Sequence, residues 1–303
     1  MSARVYLLCL AIVVLGTTED ARPAPRGSTW SIVAVDPASG DMGVAAASCF
    51  PGPIDAIAAL VPGKGVAAAQ ANFTLENRDR VFSLLRAGEP AGAIVAAVTN
   101  ESADAGAAQR QYGVVTLHGE SVQVAGFTGA DTLAWAGDRQ DLAAAVTVQG
   151  NILEGEAVVN DALTAFRLDT GPLPDRLLRA LEAGSAAGGD RRCNWEDVQQ
   201  TASAAFIMVA RGEDAPFVVS QLGVSEPDAA GAPWLYLSVT EPPRGENPLG
   251  ALRRNYDAWR AEHLPAKDEA GPPRAPGRPA LWLLPAALAL LMVIPFLLLR
   301  LRR

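Results

Sequence analysis

The middle of this chain reads as an α+β domain built from stacked layers of sheet and helix. Strand-like and helix-like segments come in groups: strands, two helices, strands, two helices, strands, one helix. Such grouping favours antiparallel strand pairs with helices gathered on their outer faces, whereas a doubly wound parallel sheet would alternate single strands with single helices. The second observation is turn chemistry between neighbouring strands, as in Asp36-Pro-Ala-Ser-Gly-Asp41 and His118-Gly-Glu-Ser121. The third concerns the ends of the 303-residue chain, where two apolar runs of different length predict export and one C-terminal transmembrane helix.

Met1–Arg4 is short and basic, Val5–Gly16 is almost wholly apolar, and a small-residue polar stretch follows. That is the plan of a signal peptide over residues 1–21, too short for the roughly 20 apolar residues of a membrane helix. Cleavage near Ala21 or Ala24 leaves residues 22–28 as a short leader.

Thr29–Val35 and Met42–Ser48 read as a hairpin, and Val61–Asn72 as a further strand entered through Pro62-Gly63-Lys64-Gly65. Asn77–Ala87 is an amphipathic helix stopped by Gly88, and Pro90 opens the next helix, toward Thr99. Tyr112–Leu117 and Val122–Phe127 form a second hairpin, and Ala143–Gln149 is a buried strand. Helices follow at Glu156–Leu168 and Pro174–Ala183, the latter closed by Gly184 before a loop to Asp190. Ala204–Ala210 and Trp234–Val239 are strands, and Pro248–Glu262 is the last helix of a domain spanning residues 29–263. Residues 264–279 form a Pro/Gly-rich linker. Leu281–Leu299 carries no charged side chain and ends in Arg300, Arg302 and Arg303. A helix over 280–300 therefore spans the bilayer, leaving 301–303 as a cytoplasmic tail and the main domain extracytoplasmic, periplasmic or extracellular.

Composition narrows the function classes. Net charge is −8 with no basic block, so no nucleic-acid partner is expected. No Cys or His cluster has metal-ligand spacing, and no metal or other cofactor is implied. His118 and His263 read as surface residues. Removal of the signal peptide, which holds Cys9, leaves Cys49 and Cys193, which could pair in an oxidising compartment, although sequence does not place them together.

Thr29-Trp-Ser-Ile-Val-Ala-Val-Asp36 with Gly43-Val-Ala-Ala-Ala-Ser48 resembles the start of the domain-of-unknown-function 1028 family. Tyr112-Gly-Val-Val115, Phe127-Thr-Gly129, Gln149-Gly-Asn-Ile-Leu153, Ala183-Gly-Ser-Ala-Ala-Gly-Gly-Asp-Arg191 and Asn247-Pro-Leu-Gly-Ala-Leu-Arg-Arg254 are similar to later motifs of that family, in the same order. The resemblance implies a four-layer αββα sandwich like that of the N-terminal-nucleophile (Ntn) hydrolases. It implies no established activity.

The residues themselves suggest how such a domain would work. An N-terminal Thr needs no separate histidine, because its own α-amine, with a reference pKa of about 7.7–8.0, can take the hydroxyl proton. Thr29 opens the first strand, so the bond after Ser28 must be cut. Asp36 ends that strand and Ser48 lies on its neighbour. Gln149, Gly150 and Asn151 sit at a strand end, where amide N–H groups would steady an oxyanion. Asp190 and Arg191 follow two glycines and would hold a substrate carboxylate or the nucleophile. Each has a plainer role open to it: strand residue for Thr29, turn former for Asp36, core filler for Ser48, loop brace for Asn151, cap or ion pair for Asp190 and Arg191. The expected function is an exported, membrane-anchored amide or acyl hydrolase acting on a small-molecule or cell-envelope substrate. The alternative is a non-catalytic binding domain of the same fold, and oligomeric state is not read from the sequence.

Overall fold

The computed structural model describes residues 29–195, 198–214, 232–240, 242 and 245–264. The signal peptide, leader, transmembrane helix, tail and, apart from Leu264, the linker lie outside them. Among the described residues no helix is long and apolar enough to cross a membrane. The chain forms two compact units, Met1–Tyr256 and Asp257–Arg303. The described part of the second is the end of the last helix and Leu264, with the His263 ring stacked on Trp259 at 4.8 Å.

The first unit is a mixed α+β fold with antiparallel sheets. In chain order its elements are β1 (Thr29–Val35), β2 (Met42–Ser48), β3 (Ala58–Val61), β4 (Gly65–Ala71), α1 (Leu75–Ala87), α2 (Ala91–Val98), β5 (Arg110–His118), β6 (Ser121–Thr128), β7 (Gly137–Asp141) and β8 (Val146–Asn151). Then come α3 (Ala157–Leu168), α4 (Leu173–Ala186), β9 (Asn194–Trp195), β10 (Val198–Gln199), β11 (Ala204–Ala210), β12 (Leu235–Thr240) and the start of α5 (Pro248–His263), whose residues from Asp257 on belong to the second unit. One sheet has six strands in the order β12-β11-β2-β1-β8-β7, another has four in the order β3-β4-β5-β6, and β9 with β10 makes a small ladder.

Strand alternation decides how the layers stack. Val33, Val35, Met42, Val44, Phe206 and Met208 of the larger sheet share one apolar core with Leu60, Val66, Val115 and Leu117 of the smaller, so the two sheets pack face to face. The opposite face of the smaller sheet, through Val61, Ala67, Tyr112 and Val114, packs on Val81, Leu85, Ile94 and Val98 of α1 and α2. On the larger sheet's outer face, Trp30 donates its indole N–H to the Leu181 carbonyl of α4 at 3.3 Å.

Local chemistry fixes several boundaries. Thr74 caps α1 by accepting from the Asn77 N–H, and Gly88 closes it with φ 82°. Asn247 caps α5 by accepting from the Leu249 N–H at 3.0 Å, with Pro248 as its first residue. Its amide also donates to Thr201 Oγ1 at 2.9 Å and Ser185 Oγ at 3.2 Å, tying α5 to the end of α4.

Three expectations change. Pro62-Gly63-Lys64 is the turn of a hairpin, and β3 precedes it. The strand expected at Ala143–Gln149 begins at Val146 and is paired with β7, whose polar Gly-Asp-Arg-Gln-Asp sequence carries no apolar alternation. Gly184 does not stop α4, which runs on to Ala186. A Cβ at Gly184 would lie 2.7 Å from the Trp30 indole nitrogen, so this glycine provides space for the large aromatic ring.

Cys49 and Cys193 form a disulfide, with Cα atoms 5.6 Å apart. It closes a loop with a sequence separation of 144, for which chain-entropy reasoning gives a stabilisation of about 5 kcal/mol.

Candidate active site

The space between the two sheets is apolar around β2, β3 and β11 and polar around β8 and the head of β1. The register pairs Thr29 with Asn151, Ser31 with Gln149 and Val33 with Thr147. The same alternation turns Gln70 of β4, Gln111 of β5 and Thr128 of β6 toward this region, adjacent to one another in their sheet.

These side chains form a continuous hydrogen-bonded chain. Thr147 donates to Gln149 Oε1 at 3.0 Å, and Gln149 donates to Ser31 Oγ at 2.5 Å. Ser31 donates to Gln70 Oε1 at 2.6 Å. The Gln70 amide N–H groups then go to the Thr29 carbonyl at 3.1 Å and to Gln111 Oε1 at 2.8 Å. Asn151 Nδ2 donates to that same Gln111 oxygen at 3.2 Å. Gln111 shares its own N–H groups among Thr128 Oγ1 and the carbonyls of Gly137 and Gly150. Thr128 completes the run by donating to Asp138 at 2.7 Å. A buried amide without partners would cost roughly 1–3 kcal/mol, so mutual satisfaction is what permits this polar core.

Space for the chain comes from Gly113, whose Cβ would sit 2.1 Å from Gln149 Oε1. That explains the glycine of Tyr112-Gly-Val-Val115. The tyrosine beside it faces α1 and α2, and burial pushes its phenol up to about 12, out of the working range of an acid or base.

Thr29 stands at the head of β1, 5% exposed, with its carbonyl held by Gln70 and Asn151 as its cross-strand neighbour. Asn151 also lines a narrow crevice with Ala71, Asn72, Gln109, Asp131, Thr132, Leu133 and Ile152. Two of these residues are left-handed without being glycine: Ala71 at φ 72° and Ile152 at φ 51°. Such a conformation costs on the order of 1–3 kcal/mol, more readily tolerated where surrounding contacts hold it. Ile152 is so held: its N–H donates to Leu133 O at 3.0 Å and its carbonyl accepts from Arg191 N at 3.2 Å.

The remaining sequence candidates separate into two groups. Ser48 is buried at the end of β2, one position beyond the Trp30–Ala47 pair, and its carbonyl accepts from Ser203 N at 2.8 Å. Asp190 is fully buried; its carboxylate accepts from Cys49 N at 2.7 Å and forms an ion pair with Arg192 at 2.8 Å. It also bridges Leu153, so together with the disulfide it braces the segment after Asn151. Arg191 reaches the site through its main chain, and the side chain beside Asp190 is that of Arg192. Asp36 lies at the far end of β1, roughly 20 Å away by strand rise, where its carboxylate accepts from Ala38 N in a turn. The structure thus brings Thr29, Ser48, Gln149, Asn151 and Asp190 to one end of the domain and leaves Asp36 at the other.

Ser31, Gln70, Gln111 and Thr147 were missed by the sequence reading. One signal was present: a lone Gln in Gly65-Val-Ala-Ala-Ala-Gln70-Ala contradicts an otherwise apolar strand. Which face it occupied, and what met it there, depended on the opposing sheet.

A family model described as "Family of unknown function (DUF1028)" matches residues 29–232. The match begins at Thr29 and stops before the Asn247–Arg254 motif. No curated protein matches the chain. Among solved structures, one from Silicibacter pomeroyi that carries the same family model is 24% identical, with a TM-score of 0.59 over 77% of this chain and 89% of that one. At that identity the likeness shows a shared fold alone.

Proposed function

We propose, from the premise that this chain belongs to the DUF1028 family, that its main domain is an amide or acyl hydrolase with Thr29 as N-terminal nucleophile. The observation that carries this reading is the position of Thr29. It heads a strand of the larger sheet on the inter-sheet face, anchored by Gln70 and set beside Asn151 and its crevice. The packing order of helices, sheet, sheet and helices supports assignment to the four-layer αββα arrangement of the Ntn hydrolases.

In this mechanism Thr29 Oγ attacks the substrate carbonyl carbon while the freed α-amine takes the hydroxyl proton. An acyl ester forms, and the leaving amine or alcohol departs with that proton. Water then attacks the ester, the α-amine again accepts a proton, and Oγ regains it as the acid leaves. Asn151, the cross-strand neighbour of Thr29, is the side-chain amide assigned to steady the developing oxyanion, while it also donates to Gln111. Gln70 and Gln111 position these two residues and touch neither reacting atom. The substrate class is a small-molecule or cell-envelope amide or ester.

The disulfide supports an extracytoplasmic location, since such bonds persist in oxidising compartments. With the apolar run at Leu281–Leu299 it supports a domain held at the membrane surface. The second reading, a binding domain of the same fold, draws on one observation: Gln70, Gln111 and Gln149 are occupied within the protein.

The test is turnover of an amide and ester panel by mature wild-type protein and by Thr29→Ala and Thr29→Ser. Loss of about a thousandfold or more in Thr29→Ala, with partial retention in Thr29→Ser, is the expected result. Unchanged turnover in Thr29→Ala removes Thr29 from the mechanism, and no turnover by any form supports the binding domain.

A further inference from the structure

The crevice beside Thr29 has a composition that selects for charge. Its walls offer the side-chain amides of Asn72, Gln109 and Asn151, the Thr132 hydroxyl, and one ionisable group, Asp131. No lysine, arginine or histidine is among the lining residues. Asn72 and Gln109 are tied to each other at 2.9 Å, and Thr132 Oγ1 donates to the Gly129 carbonyl at 2.6 Å, so those walls are set in place by the protein's own bonds. Asp131 is fixed only through its main chain, whose N–H donates to Ala108 O at 2.7 Å. Its carboxylate is exposed to solvent and has no hydrogen-bond or ion-pair partner among the described residues.

The free space is about 10 Å³, close to what one water-sized group occupies. A primary ammonium is of that size, and a carboxylate or phosphate is larger. An anion would also meet Asp131 with no cation in the walls to offset it.

We infer that Asp131 is a specificity-determining residue, and that the crevice takes the ammonium group of a small α-amino amide or ester. For what happens to the bound molecule this rests on the reading of Thr29 as nucleophile, but for binding it does not. Asn151 links the two, lining the crevice on one side and neighbouring Thr29 on the other. An α-amine held there lies beside the carbonyl that Thr29 would attack, so the substrate class becomes aminoacyl amides, aminoacyl esters or short peptides with a free amino terminus.

The test uses full-length protein carrying Thr29→Ala, in which turnover is removed, with and without Asp131→Asn. Alaninamide and lactamide differ only in ammonium against hydroxyl, and lactate supplies the anion. Affinities are measured by NMR titration at about pH 6.5, below the reference α-amine pKa of about 7.7–8.0, so that alaninamide is cationic. The expected result is up to about fivefold tighter binding of alaninamide than lactamide, the upper end of the scale for one exposed ion pair. That preference should vanish in Asp131→Asn and lactate should bind weakest. Equal affinity for alaninamide and lactamide, a preference that survives Asp131→Asn, or no binding of any of the three overturns the inference. Because the titration needs no turnover, an inactive wild-type enzyme with an intact ammonium preference would reject the catalytic reading and leave the subsite standing.

Discussion

The inter-sheet space has two parts that share β1, β4 and β5 and the same face, yet they are different materials. In one, Val33, Val35, Met42, Val44, Phe206 and Met208 meet Leu60, Val66, Val115 and Leu117 in an apolar core. In the other, toward β8 and the head of β1, the positions are Ser31 and Thr29, met by Gln70, Gln111, Gln149 and Asn151. The apolar part is held by area removed from water, which tolerates exchange of one hydrocarbon for another. The polar part is held by directional bonds and requires each partner. That difference is the reason to look for chemistry in the second part.

Breaking the comparison from the apolar side should give the largest stability effect. Phe206→Ala deletes a fully buried ring, and a loss of about 3–5 kcal/mol in chemical denaturation is expected. Its activity per folded molecule should stay near wild type, because the ring lies outside the polar chain. Opening the disulfide with Cys49→Ser should cost about 2–5 kcal/mol. Since Cys49 N also binds Asp190, this change should additionally loosen the Ile152 segment, seen as faster amide exchange there.

In the polar part, Gln111→Leu strips two donors of their acceptor and three acceptors of their donor. A loss of about 2–3 kcal/mol is expected, with a fall in turnover beyond the loss of folded protein. Equal turnover per folded molecule in Gln111→Leu and Phe206→Ala would erase the functional distinction between the two parts.

The smallest effect concerns acid. The Arg110 guanidinium, helped by hydrogen bonds from Gly106 and Asn77, holds Asp104 at about 2, below the ordinary 3.8. A depressed carboxylate contributes stability fully above its unfolded pKa and loses it as pH falls through the folded one. The loss should run between about pH 4 and pH 2, be on the order of 1–2 kcal/mol, and disappear in Asp104→Asn. Measured by denaturation against pH, it probes a polar cluster away from the Thr29 chain and should leave that chain's behaviour unchanged.

How much of this was legible depended on the range of the interactions. Hairpin turns, the Gly88 stop and the Pro-led helices are local, and the sequence carries them in adjacent residues. The β7 strand was not legible, because its pairing with β8 and not an apolar pattern makes it a strand. Gly184 misled for the same reason: its cause, the Trp30 ring, lies far away in the chain. At the site, the candidates named from short motifs were Thr29, Ser48, Gln149, Asn151 and Asp190, and these do gather at one end. Asp36 does not, since a strand of seven residues separates its two ends. Ser31, Gln70 and Gln111 acquire meaning only when the second sheet is laid on the first.

The head of β1 is where fold, polar network and proposed chemistry meet, so the mature amino terminus tests the account most directly. Edman sequencing with intact-mass measurement, on material shown to turn over an amide or ester, should give Thr29 as the first residue. Active protein that still carries Ser28 or earlier residues joined to Thr29 would contradict the account, because the α-amine assigned to proton transfer would then be a peptide bond.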